Sequence, residues 1–141
     1  MRRITTVKIK RIAHIGIGCK DNQEVRKLYE NNLDLKVTNE EMVGELQTTF
    51  VPVGETNLEL VQSTTADGVM AKFVEKRGEG IHHVAFEVED IDSALQELKD
   101  RGVQLIDQEA RPGAHNARIA FLHPKATHGV LIELVEYPKD H

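Results

Sequence analysis

Ala13-His14-Ile15-Gly16-Ile17 and His82-His83-Val84-Ala85-Phe86 are two versions of one short motif, and this pair decides the fold. Each version places a histidine inside an apolar run that is typical of a β-strand. His14 and His83 lie 69 residues apart (14 to 83). A short motif that recurs at a long interval is the mark of an internal duplication. The chain is therefore predicted to contain two copies of one module.

A second pair of stretches repeats a glutamate: Asn57-Leu58-Glu59-Leu60-Val61 and Leu131-Ile132-Glu133-Leu134-Val135. Glu59 and Glu133 lie 74 residues apart (59 to 133), so a five-residue insertion in the second copy reconciles them with the histidines. A carboxylate in mid-strand among leucine, isoleucine and valine is costly to bury alone. Two histidines and two carboxylates at equivalent repeat positions suit a divalent metal ion with open coordination positions.

The composition excludes several classes of function. With 141 residues and a net charge of −5, the chain has the length of one domain and lacks the basic surface of a nucleic-acid-binding protein. The single cysteine, Cys19, excludes an internal disulfide and fits the reducing cytoplasm, which is the predicted location. No apolar run approaches the roughly 20 residues that span a bilayer. Neither a nucleic acid nor a membrane is an expected partner.

Local patterns predict the same order of elements in both copies: a strand, a helix and three strands. Asp21 and Asp90 each follow their histidine by seven residues and are the predicted N-caps of the two helices. The first copy is predicted to contain strand 12–19, helix 22–31 and strands 33–43, 45–53 and 58–62. The second is predicted to contain strand 81–88, a helix from 91 that ends at Gly102, and strands 103–106, 117–123 and 129–136, with a loop over 110–116. A short helix over 69–76 links the copies.

Strand alternation places both histidines on faces with small neighbours. His14 shares its face with Gly16 and Gly18, and His83 shares its face with Ala85. Small neighbours leave a cavity that bulky side chains would fill. His82 lies on the bulky face of its strand and is interpreted as structural or solvent-facing.

The chain resembles the vicinal oxygen chelate, or glyoxalase-like, superfamily over about residues 9 to 138, on the strength of the duplicated module with its histidines and glutamates. Four stretches of the second half are similar to the methylmalonyl-CoA epimerase family: Gly78-Glu79-Gly80-Ile81-His82-His83-Val84-Ala85, Arg101-Gly102-Val103, Phe121-Leu122-His123-Pro124-Lys125 and Gly129-Val130-Leu131-Ile132-Glu133-Leu134. The resemblance implies a single α+β domain whose paired βαβββ modules, 9–63 and 80–137, form a curved, cup-like mixed sheet. A linking helix at 67–77 joins the modules.

The resemblance also implies one divalent metal ion, with His14, Glu59, His83 and Glu133 as its ligands. Cobalt is favoured, and manganese, nickel or zinc are alternatives, because imidazole and carboxylate ligands do not choose among these metals. Some epimerases have glutamine where this chain has Glu59. The implied reaction is epimerisation of methylmalonyl-CoA, a small-molecule CoA thioester. A proton leaves and returns at the carbon next to the thioester, through a metal-stabilised enolate.

Inversion at that carbon requires proton removal on one face and return on the other. Glu133 is the first candidate base. Several epimerases carry a catalytic glutamate on the third strand of the first module, where this chain has Thr48, so the candidates for the second group are the nearby Glu45 and, by symmetry, Glu59. Lys125, which follows a proline bend, is the predicted contact for the phosphates of CoA.

Two other functions remain open from the sequence. The first is a glyoxalase I-type lactoylglutathione lyase, which would use the same metal site. The second is a metal-free small-molecule binding protein of the same fold. A homodimer is expected by analogy with the family.

Overall fold

The computed structural model describes residues 6–140, and the chain divides into two compact units. The first, His14–His83, is called the histidine unit below. The second unit combines the described residues before His14 with those from Val84 onward. The boundaries fall inside two strands, β1 (Ile9–Gly18) and β5 (Gly80–Val88). The division into modules 9–63 and 80–137 stays a prediction.

The histidine unit contains most of the first copy and the linking helix. Its remaining elements are α1 (Asn22–Lys27), β2 (Asn39–Val43), β3 (Leu46–Val53), β4 (Thr56–Ser63) and α2 (Val69–Arg77). The strands lie in the order β2-β3-β4-β1, with β1 and β4 parallel and the other pairs antiparallel. Parallel pairing aligns Gly16 with Glu59. Directly paired residues share a sheet face, so Glu59 lies on the face of β1 that carries His14.

The second unit pairs β5 with the last strands of the chain. Its further elements are α3 (Ile91–Asp100), β6 (Arg111–Pro112), β7 (Arg118–Phe121) and β8 (Ile132–Glu136). The strands lie in the order β5-β8-β7-β6, and β5 and β8 are parallel. The apolar face of α3 packs on this sheet through a buried cluster: Val88, Ile91, Ala94, Leu95, Leu105, Ala120, Leu122 and Leu134.

Both predicted helix caps are confirmed. The Asp21 carboxylate accepts a hydrogen bond from the backbone N–H of Gln23 at 2.9 Å, and Asp90 accepts one from Ser93 at 3.1 Å. Each cap satisfies an N–H group that has no partner within the helix, which stabilises a helix by about 1 kcal/mol. The α-helical geometry of α1 ends at Lys27, and the chain continues as a π-helical turn through Asn32.

The predicted strand 33–43 is wrong in its first half. β2 begins only at Asn39, and the left-handed conformation of Asp34, with a φ of 57°, interrupts the start of the predicted range. Leu35 and Val37 instead pack as irregular chain against the buried residues of β3 and β4.

The predicted strand 103–106 is also wrong, apart from one isolated bridge between Leu105 and Leu122. The backbone N–H of Val103 donates to the carbonyl of Leu98, so the first residue of this stretch still closes the end of α3. The predicted loop 110–116 contains β6 and a 3₁₀ turn at Ala114–Asn116.

Each copy nonetheless has the predicted order of strand, helix and three strands, and the α+β class is confirmed. Among the described helices, none is long and apolar enough to cross a membrane.

Cys19 gives a test of the packing at the end of β1. Its side chain is buried against Val51 and Leu60, and this burial, together with the charge of Glu79, raises the pKa of the thiol to about 12. The thiolate is the reactive form. We therefore expect folded protein at about pH 8 to resist iodoacetamide and denaturant-unfolded protein to be alkylated fully, as followed by mass spectrometry. Rapid alkylation of the folded protein would contradict this packing.

Candidate metal centre

One face of β1 carries a buried histidine followed by two glycines. His14 is 5% exposed, and Gly16 and Gly18 follow it on the same face of the strand. The imidazole of His83 covers Gly16 so closely that a Cβ atom built there would lie 2.1 Å from His83 Cε1. The small side chains predicted to leave a cavity thus make room for the second histidine.

The two imidazoles meet through the same ring nitrogen. His14 Nε2 and His83 Nε2 are 3.1 Å apart, and the rings are nearly perpendicular at 88°. Both side chains are buried. Two Nε2 atoms at this separation either share one proton or direct two lone pairs toward a common cation.

Glu59 lies behind the first imidazole. Its Oε2 atom is 3.0 Å from His14 Nδ1, the ring nitrogen opposite the one that faces His83. The carboxylate is buried as well, with 6% of the residue exposed. Metal-bound histidines commonly donate their second N–H to a carboxylate, which fixes the tautomer and the ring orientation. His14, Glu59 and His83, called the His/His/Glu group below, are therefore brought together within the histidine unit.

His82 also contacts the second imidazole, which the interpretation of this residue as structural or solvent-facing did not include. Its Nδ1 atom is 2.9 Å from Nδ1 of His83. The ring of His82 packs edge-on against Phe73 of α2, with centroids 4.8 Å apart. The signal available in the sequence was the His-His pair itself, but strand alternation assigned its two members to opposite faces.

Glu133 belongs to the second unit. It is 4% exposed on β8, and its register neighbours are Ala85 on β5 and Phe121 on β7. A carboxylate buried to this depth requires hydrogen bonds or a cation to offset its desolvation.

The carboxylate of Glu45 accepts hydrogen bonds from residues at and before the start of the linking helix. The donors are Ser63 Oγ at 3.0 Å and the backbone N–H groups of Thr64 and Val69 at 3.1 and 3.2 Å. These contacts connect the β2–β3 turn to the segment that begins α2. As arranged, Glu45 has a structural role in the histidine unit.

Lys125 is exposed in the turn between β7 and β8. Its backbone N–H donates to His123 Nδ1 at 3.1 Å, which helps to order the turn after Pro124.

The donor set of the His/His/Glu group fits a divalent metal ion. Two imidazole Nε2 atoms already face each other, and the ring of His14 is oriented by a carboxylate. Imidazole and carboxylate ligands together accept several first-row divalent ions. The arrangement requires neutral imidazoles with free Nε2 lone pairs, so metal binding competes with protons at this site.

Comparison with known proteins identifies the family of this chain. Residues 13–121 match the family model of the glyoxalase/bleomycin resistance protein/dioxygenase superfamily. The chain belongs to this superfamily.

Individual relatives show which family within this superfamily the chain belongs to. The uncharacterised protein YqjC of Bacillus subtilis is 42% identical over 91% of this chain and 93% of its own. The mitochondrial methylmalonyl-CoA epimerase of Bos taurus is 34% identical over 88% of this chain and 73% of its own. A solved methylmalonyl-CoA epimerase in complex with methylmalonyl-CoA and NH₄⁺ has a TM-score of 0.88 at 34% identity, over 94% of this chain and 97% of that one. Within the superfamily, the chain belongs to the methylmalonyl-CoA epimerase family, and it is an isomerase of the racemase and epimerase class.

Proposed function

We propose that this protein epimerises methylmalonyl-CoA with the help of one divalent metal ion. The observation that carries the proposal is the pair of buried imidazoles whose Nε2 atoms face each other at 3.1 Å. The names of the relatives support the substrate, and the His/His/Glu group supports the metal. The carbon to be inverted lies between a carboxylate and a thioester, so its proton can be removed once the resulting charge is stabilised.

His14, His83 and Glu133 are the proposed ligands, and Glu59 stays a predicted fourth ligand that would have to leave Nδ1 of His14 to reach the ion. Support for Glu133 comes from the register of β5 with β8. Ala85 is paired with Glu133 and follows His83 by two residues, and residues two apart on a strand share a face. A bound divalent ion supplies Lewis acidity that stabilises negative charge developing on the thioester oxygen. Cobalt is the first candidate, and manganese, nickel and zinc are alternatives, because this donor set does not select among them.

Glu133 is the proposed base that takes the proton from the reacting carbon. As a ligand of the ion, its carboxylate would lie close to the reacting carbon and could swing to it to accept the proton. The second group must reach the opposite face of the carbon. Glu45 stays a prediction for that role, and it would have to release its hydrogen bonds to Ser63 and Thr64 before accepting a proton. Glu59 is the alternative, already oriented by His14.

Lys125 is the proposed contact for the CoA phosphates. The substrate carries several negative charges and the protein has a net charge of −5, so binding needs a local cation. Lys125 is exposed, and its turn is ordered by the backbone hydrogen bond to His123.

A homodimer in the cytoplasm completes the proposal. The homodimer rests on analogy with the family, and Val69 at the start of α2 and Ile81 at the start of β5, 63% and 65% exposed, are candidate contacts with a second copy. The buried thiol of Cys19 fits a reducing compartment.

The proposal is tested by following deuterium entry at the α-carbon of methylmalonyl-CoA in D₂O. Protein stripped of metal by a chelator is expected to exchange no faster than buffer, and added Co²⁺ is expected to raise the rate by roughly a hundredfold or more, because Lewis acidity contributes several kcal/mol. Mass spectrometry of the thioester measures the exchange.

Two outcomes would contradict the proposal. Cobalt-loaded protein that leaves exchange at the buffer rate, yet isomerises the hemithioacetal of methylglyoxal and glutathione, would be a glyoxalase-type lyase. Purified protein that binds no metal and catalyses neither reaction would be a small-molecule binding protein.

A further inference from the structure

We infer that His82 is a positioning residue for the proposed metal ligand His83. The inference rests on the proposed metal site, and it concerns one contact: the Nδ1 atoms of the two rings are 2.9 Å apart. At this distance one nitrogen donates a hydrogen and the other accepts it.

The chemistry of ligation decides which nitrogen donates. A histidine that binds a metal through Nε2 carries its proton on Nδ1 and donates it to a neighbouring acceptor, which fixes the tautomer and the orientation of the ring. For His14 the carboxylate of Glu59 lies 3.0 Å from Nδ1, on the side of the ring away from His83. For His83 the acceptor is Nδ1 of His82, which then carries its own proton on Nε2. Each Nε2 atom of the facing pair is thus oriented from behind by a second side chain.

His82 is itself held by the linking helix. Its ring packs edge-on against Phe73 of α2, with centroids 4.8 Å apart and an angle of 86° between the planes. Phe73 in turn lies directly over Gly18, where a Cβ atom would come within 2.8 Å of the Phe73 ring. The linking helix therefore sets the position of His82 against β1.

The result is an ordered row of side chains along one face of β1. His14 comes first, the ring of His83 covers Gly16 next, and the ring of Phe73 covers Gly18 last. His82 contacts both His83 and Phe73, so it connects the helix to the proposed ligand. This gives His82, the first histidine of the His-His pair, a role that strand alternation alone does not suggest.

Three substitutions separate the hydrogen bond from packing. His82→Phe keeps an aromatic ring against Phe73 but removes the acceptor, and His82→Ala removes both. His82→Asn offers a side-chain oxygen close to the position of the lost Nδ1. His128→Asn, in an exposed turn where His128 has a φ of 56° that asparagine tolerates, is the matched control.

The primary measurement is a calorimetric titration with Co²⁺ alone, combined with the visible absorption spectrum of the bound ion. We expect the alanine and phenylalanine variants to bind Co²⁺ about 10- to 100-fold more weakly, with an altered spectrum, as is typical when the partner of a metal-ligating histidine is lost. The asparagine variant and the His128→Asn control should remain within a few-fold of the unsubstituted protein. Unchanged affinity and spectrum in His82→Phe, or an equal loss in His82→Asn, would overturn the inference.

A metal-free measurement keeps the inference separate from the proposed function. Long-range ¹H–¹⁵N correlation spectra report the ring nitrogen shifts of His83. His82→Phe is expected to change these shifts, while His82→Asn and His128→Asn leave them near those of the unsubstituted protein. Shifts that are identical in all variants would overturn the inference, whatever the protein does with Co²⁺. Normal cobalt binding without deuterium exchange would count against epimerisation and leave the role of His82 standing.

Discussion

His83→Ala is expected to abolish cobalt binding at the site and with it the exchange of the substrate α-proton. The substitution removes one of the two facing Nε2 atoms and leaves His14 with no imidazole opposite it at 3.1 Å. We expect the rate of deuterium exchange to fall roughly a hundredfold or more, to that of the metal-free protein, because the ion contributes several kcal/mol and about 1.4 kcal/mol corresponds to a factor of ten. Equilibrium dialysis with Co²⁺ and the exchange assay measure the two effects on the same preparation.

The control for this prediction is His128→Asn, which replaces an exposed imidazole far along the chain from the His/His/Glu group. It should bind one Co²⁺ and exchange deuterium at the unsubstituted rate. If His83→Ala retained both properties, the facing imidazoles would not be the metal site and the proposed mechanism would fail.

Gly16→Ala is expected to damage the same site without replacing any proposed ligand. The added Cβ would lie 2.1 Å from His83 Cε1, 2.4 Å from Nδ1 and 2.6 Å from Nε2, so the imidazole must move away. Overpacking of this kind costs about 1–3 kcal/mol of folding stability. Displacement of the ring also separates Nε2 from its partner on His14. We expect weaker binding of Co²⁺ by at least about tenfold, since that corresponds to only about 1.4 kcal/mol.

Gly80→Ala is the matched control, because a Cβ atom at Gly80 meets nothing within 4 Å. Denaturant unfolding and cobalt titration of the two variants give the comparison. Equal stability and equal affinity in Gly16→Ala and the unsubstituted protein would show that the ring of His83 does not depend on the absence of a side chain at this position.

The duplication was enough to predict that His14, Glu59 and His83 lie close together. Strand alternation and the parallel pairing of β1 with β4 bring His14 and Glu59 to one face of the sheet. The order of elements and the two aspartate caps were predictable for the same reason, since they depend on local spacing.

Contacts between distant elements could not be predicted in this way. The glycines of β1 led to the prediction of a cavity beside His14, whereas the ring of His83 fills the space over Gly16. Alternation also hid the contact of His82 with its neighbour, because the rule describes Cβ directions and not the reach of a ring nitrogen at the start of a strand. The strand predicted over 103–106 failed because the backbone of Val103 remains bonded to the end of α3.

The proposed function depends on one divalent ion held between the two facing imidazoles. A crystal of cobalt-loaded protein, with data collected at the cobalt absorption edge, tests this most directly. We expect a single anomalous peak about 2.1 Å from Nε2 of both His14 and His83, a distance typical of a metal–imidazole bond. The carboxylates that complete the coordination would be visible in the same map. A peak elsewhere, or no peak in protein soaked with excess Co²⁺, would show that the facing imidazoles do not hold the ion.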